Sequence, residues 1–141
     1  MNNISLFVFL VLFSTTIWAD KDTREVIYLD QASRAFLKHE MQGNVAAIQQ
    51  ALAALAEEDM FAVAEAFRPM GMQGMSHVPP SLRNSMPMGF KKLGMPLHQA
   101  FDQLANKAEM GATIKEVLAD LSKAMKLCVA CHSAYQIKDK Q

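Results

Sequence analysis

The chain has 141 residues, 51% of them hydrophobic, and its 14 Lys and Arg balance its 14 Asp and Glu. This length suits one domain around one core, the apolar content excludes a disordered chain, and the charge balance argues against nucleic acid, which selects a basic surface. Its two cysteines stand close together, so there is no separate disulfide framework.

Residues 1 to 19 carry no charged side chain, and Ile4 to Trp18 is a nearly continuous apolar run ending in Ala19 before Asp20-Lys21-Asp22. This pattern predicts a secretory signal peptide over 1–19, cleaved after Ala19, with the mature domain over 20–141. An uncleaved anchor is the alternative, although the run is short for a spanning helix.

Asp22 and Thr23 are N-cap candidates for a first long helix. Leu37, Met41, Val45, Ile48, Leu52 and Leu55 recur at helical spacing and predict its buried face, with an end near Ala56. Glu57, Glu58 and Asp59 place negative charge at the start of a second helix through Phe67, which Pro69 ends. Residues 69–96 hold many of the glycines and prolines and predict an irregular crossover with a short helix over Pro80 to Ser85. A third helix enters near Pro96 and leaves at Gly111, and a Thr113–Glu116 capping box starts a fourth that runs into Cys128. No stretch alternates convincingly as a strand. The expectation is an all-α four-helix bundle with one long Met/Gly/Pro-rich crossover.

The fourth helix carries Cys128-Val-Ala-Cys131-His132, a C-x-x-C-H sequence that marks covalent attachment of a c-type haem. Each thiol adds across one vinyl group of the porphyrin, so both cysteines must reach one macrocycle. Positions i, i+3 and i+4 share a helical face, and His132 falls under the iron as proximal ligand. A thiol-redox site sits at a helix start after a strand, a zinc site needs four ligands, and a structural disulfide explains neither the histidine nor the helix. One haem c is the expected cofactor, with these three readings as alternatives.

The run CVACHSAY matches C-x-x-C-H-x-x-Y at the C-terminus of a helical chain, with Tyr135 as its tyrosine. In this the chain resembles the cytochrome c′ group, the class II c-type cytochromes. It is similar in particular to a proteobacterial periplasmic monohaem branch, through Glu40-Met41 and FKKLGMPLHQAFD ending at Asp102. The resemblance implies a periplasmic one-haem bundle with haem between the first and last helices. It also implies a distal face set by an R-x-x-x-(Met or Leu) pattern on the first helix. Arg34 matches the arginine, and Lys38 stands at the distal position with Met41 one turn on. Gln136 stands where the group usually has arginine.

Met41 is the first candidate for the sixth iron ligand, because Met/His ligation suits electron transfer; ordinary core filling is the alternative. His39 lies roughly 200° around the helix from Met41 and points elsewhere, and His98 at a helix entrance suits a structural hydrogen bond. Met70, Met72, Met75 and His77 are soft donors of the kind that bind Cu(I), weighed against a loop that packs its methionines. No acid–base or nucleophile constellation stands beside the motif, so no enzyme is predicted. The expected function is one-electron carriage between protein redox partners in the periplasm, without membrane attachment after cleavage. The alternative is binding or scavenging of NO or CO at an open distal face. A homodimer is left open. Lys138 and Lys140 suit docking of an acidic partner or a solvated tail.

Overall fold

A computed structural model describes residues 21–140. The chain is mostly helical. In order it forms β1 (Glu25–Leu29), α1 (Gln31–Ala56), α2 (Met60–Phe67), α3 (Pro80–Ser85), α4 (Met88–Glu109), α5 (Ile114–Ala134) and β2 (Tyr135–Asp139). Two 3-10 turns, Arg68–Met70 and Gly74–His77, lie between α2 and α3. The signal peptide expected over 1–19 lies outside the described residues. Among the described residues no helix is long and apolar enough to cross a membrane.

The small sheet corrects the all-α expectation. β1 and β2 pair in parallel, from Glu25 opposite Tyr135 to Leu29 opposite Asp139. Ile27 and Leu29 are buried while Tyr28 between them is exposed, the two-residue period of a half-buried strand. The Val26-Ile27-Tyr28 run favours that pleated surface, so the first helix starts after Asp30 and not at Asp22 or Thr23. The Asp30 carboxylate accepts the Ser33 backbone N–H at 2.7 Å, which caps α1.

The buried face of α1 is also rotated from the expected one. Asn44, Ala47, Ala51 and Leu55 are buried, whereas Val45 is 68% and Leu52 45% exposed. Small alanines admit close helix packing, and a reading that weights large apolar side chains passes over them. At the end of α1, Glu58 takes a left-handed turn (φ 58°), and Asp59 caps α2 by accepting the Ala62 N–H at 2.9 Å.

α4 begins at Met88, eight residues before the expected entrance at Pro96, which lies inside the helix. A proline there withholds an N–H from the carbonyl four residues back. That residue is Lys92, and both positions are exposed, so water can hydrate the carbonyl. The crossover is accordingly shorter than 69–96, and α3 occupies Pro80–Ser85 as expected. Gly111 (φ 79°) ends the α4 turn in the left-handed region. The Thr113–Glu116 capping box then opens α5, with both reciprocal hydrogen bonds formed.

α1 packs on α2, α2 on α4 and α4 on α5, while α1 and α5 are not packed along each other. The main core lies within this arrangement around Val63, Phe67, Phe101, Leu104, Val117 and Leu121. Phe67 and Phe101 are fully buried and stacked, with centroids 5.7 Å apart. A second cluster of Ile27, Leu29, Leu82 and Met86 ties the sheet to α3. Phe36, Leu37, Phe90, Tyr135 and Ile137 pack on it.

Candidate functional site

A cleft of about 520 Å³ opens where α1, the start of α4, the end of α5 and the sheet meet. Arg34, Leu37, Lys38 and Met41 of α1 form one wall. Cys131 and His132 of α5 stand with Tyr135, Gln136 and Ile137 of β2, and Arg24 and Phe90 complete the lining. Residues 34, 37, 38 and 41 share this wall because they are three and four apart on one helix. Met41, Arg34, Cys131 and His132, singled out from the sequence, therefore meet here although about 90 residues separate the two groups.

Cys128 stands one turn behind Cys131, half-buried against the edge of the main core and not in the cleft lining. Both thiols are free. Burial pushes both above the ordinary thiol range, and Cys128 nearby adds to the effect on Cys131. His132 is exposed beside Cys131, and among the described residues its imidazole has no hydrogen-bond partner.

Residues next to and within the two strands brace the C-terminal end of α5. The Asp22 carboxylate accepts from the Arg24 guanidinium at 3.0 and 2.7 Å, and Arg24 donates a further bond to the His132 carbonyl at 3.2 Å. The Gln136 side-chain amide donates to the Arg24 carbonyl at 3.2 Å. Arg34 pairs with Asp139 of β2. The hydrogen bonds from Arg24 hold Asp22 at about 2, well below its ordinary 3.8. Tyr135 meets Phe90 edge-on, with centroids 5.6 Å apart. A side chain at position 89 would overlap its hydroxyl, so Gly89 permits this approach. Burial, with the Glu25 carboxylate and the Cys131 thiol nearby, pushes the Tyr135 phenol up.

The other candidates lie elsewhere. His39 is exposed and off the cleft, and His98 is buried away from it. His98 donates its Nδ1–H to the Met70 carbonyl at 2.7 Å. Asp102, one turn on, accepts the Met72 N–H at 2.9 Å. A Cβ at Gly71 would run into the Asp102 carboxylate, so only glycine admits this grip. Met70 in turn lies against α1, its sulfur 3.4 Å from where a Cβ on Gly43 would stand. The His98 and Asp102 of FKKLGMPLHQAFD thus strap the methionine-rich turns to α4. Met70 is a packing residue, and Met72 and Met75 are half-buried with only His77 exposed.

Arg24 had no legible signal in the sequence: it reaches the cleft only because β1 pairs with β2, 108 residues from its partner His132. Phe90 was hidden by the expectation that the third helix entered only near Pro96. A smaller recess of about 240 Å³ between β1 and the end of α3 is lined by Glu25 and otherwise by neutral residues. No protein-family model matches the chain, and the searches of curated proteins and of solved structures returned no match.

Proposed function

We propose that this chain is a periplasmic monohaem c-type cytochrome that carries single electrons between protein partners, with α1, α2, α4 and α5 as its four-helix bundle. The observation that carries this reading is the meeting of Cys131 and His132 of the C-x-x-C-H sequence with Met41 across one cleft, with Cys128 one turn behind them and outside the lining. The donor set fits a haem. Two free thiols lie on one helical face with an imidazole beside them, and a thioether lies in the opposite wall. Leu37, Phe90 and Ile137 offer apolar surface, and Arg24, Arg34 and Lys38 offer positive charge for carboxylates.

A bound haem would supply one-electron iron chemistry. Cys128 and Cys131 would anchor it, His132 would hold the proximal side and Met41 the distal side. Arg24 fixes the carbonyl end of the turn bearing His132, and the Phe90–Tyr135 pair closes one flank against water. The apolar run Ile4 to Trp18 supports export to the compartment where such a group is attached. A thiol-redox reading fits less well, because Cys128 and Cys131 sit near the C-terminal end of their helix. The thiolate-stabilising end is the N-terminal one.

The half-buried Met41 and the separation of α1 from α5 favour a second reading, gas binding at an open distal face. Mass spectrometry of the chain expressed with a haem-attachment system tests both. One haem adduct is expected, lost in Cys128→Ala/Cys131→Ala; an unmodified chain overturns both readings. A low-spin ferrous spectrum then supports electron carriage. A five-coordinate spectrum with direct CO uptake moves gas binding ahead.

A further inference from the structure

The formal charge of the chain is zero, yet the fold sorts its charges by end. The helices run antiparallel, so the cleft half collects residues 21–43, 79–98 and 124–140. These stretches hold ten Lys and Arg against five Asp and Glu. Residues 44–70 and 99–123 make the opposite half, with four Lys and Arg against eight Asp and Glu, and the stretch 71–78 between the halves has none of these. The cleft half thus carries a formal +5 and the opposite half −4; Asp20, outside the described residues, completes the zero.

Positive charges lie in the cleft lining and on the elements beside it. Arg24, Arg34 and Lys38 are in its lining. Lys91 follows Phe90 of the lining directly, in a stretch, 79–98, that contains no acidic residue. Lys138 and Lys140 are held by the sheet: Lys138 stands opposite Tyr28, and the Lys140 N–H reaches the Leu29 carbonyl at 2.9 Å. They therefore do not form a frayed tail. Asp22 and Asp139 neutralise Arg24 and Arg34, which leaves Lys38, Lys138 and Lys140 exposed and, among the described residues, outside any salt bridge. The two carboxylates of a bound haem would still leave this half positive.

We propose that this cationic, apolar-centred mouth is the docking face for an acidic protein surface, and that the anionic opposite half turns the molecule mouth-first toward it. This rests on the proposed function for what passes between the partners, but the docking itself rests on the charge distribution. A charged rim around an apolar centre is the anatomy of a transient protein interface. Complementary charge there raises the rate of encounter more than the affinity.

The experiment uses the holoprotein. Its ferrous form is oxidised by ferricyanide, an anion, and by tris(phenanthroline)cobalt(III), a cation, as salt rises from about 0.01 M to about 0.3 M. A molecule without charge separation would show weak slopes for both. The expected result is a roughly tenfold fall in rate for the anion and a level or rising rate for the cation. Lys38→Glu/Lys138→Glu/Lys140→Glu abolishes the fall, and Lys115→Glu on the opposite half leaves it. In a second arm, poly-L-glutamate binds the parent in a salt-dependent way and the triple variant at least tenfold more weakly, with no electron transfer needed for the readout. Equal slopes for both oxidants, or poly-L-glutamate binding unchanged in the triple variant, overturns the proposal. So does tighter binding to phosphatidylglycerol vesicles than to poly-L-glutamate, which would assign the face to a membrane. A chain without haem defeats the proposed function and leaves the second arm readable.

Discussion

The two halves of the molecule share the same helices but are held by different balances of forces. Away from the cleft, α2, α4 and α5 close on Phe67, Phe101 and Leu104 with almost no exposed surface, so burial of apolar area dominates. At the cleft, α1 and α5 stand apart, and what joins them is the β1–β2 ladder on the smaller cluster of Ile27, Leu29, Leu82 and Met86, with the Asp22–Arg24–His132 and Arg34–Asp139 contacts. Those contacts are largely exposed, and exposed ion pairs add little stability. The half with the larger core supplies most of the stability, which leaves the other free to hold an open, charged recess.

Core truncation gives the largest expected contrast. Phe101→Ala removes a fully buried ring stacked on Phe67 and should cost about 3–5 kcal/mol. Chemical denaturation reads this as a large drop in midpoint. A loss below about 1 kcal/mol would show that this half is not the main source of stability.

Gly71→Ala comes next, since its Cβ would meet the Asp102 carboxylate. Overpacking of this kind costs about 1–3 kcal/mol. In a double-mutant cycle with Asp102→Ala, the pair should be less destabilised than the two single losses added. Strict additivity would mean that the strap does not depend on this contact.

Met41→Leu probes the other half. It keeps volume at a half-buried site and should cost less than about 1.5 kcal/mol. Under the proposed function it changes the holoprotein's spin state and lowers its potential, because the thioether favours ferrous iron. A larger stability loss with an unchanged spectrum would make Met41 core filler and erase the contrast between the halves.

The smallest effect concerns acid. Asp22 titrates at about 2 in the folded chain against an ordinary 3.8, chiefly through its hydrogen bonds from Arg24. A depressed carboxyl stabilises the fold above its ordinary value and loses that contribution as pH falls from about 4 toward 2. Carboxyl NMR should find this low midpoint in the parent and a rise toward 3.8 in Arg24→Gln. No shift on that substitution would remove Arg24 as its cause.

Local chemistry made part of this structure legible from the residues alone. The end of α1 near Ala56, the short helix over Pro80–Ser85, the glycine exit at Gly111 and the Thr113–Glu116 capping box all depend on groups within a few residues of each other. So does the shared helical face of Cys128, Cys131 and His132, which follows from their i, i+3, i+4 spacing. Distant partners decided the rest. EVIYL becomes a strand because YQIKD lies beside it, and α1 turns Ala51 and Leu55 inward because α2 packs there. α4 runs through Pro96 because Phe90 on one side packs half-buried on the second cluster and Leu97 on the other is buried in the main core. Arg24 reaches the His132 carbonyl only through the β1–β2 pairing. A charge balance of zero likewise became two oppositely charged ends only when antiparallel helices brought separate stretches together, since charge in space depends on the fold and charge in composition does not.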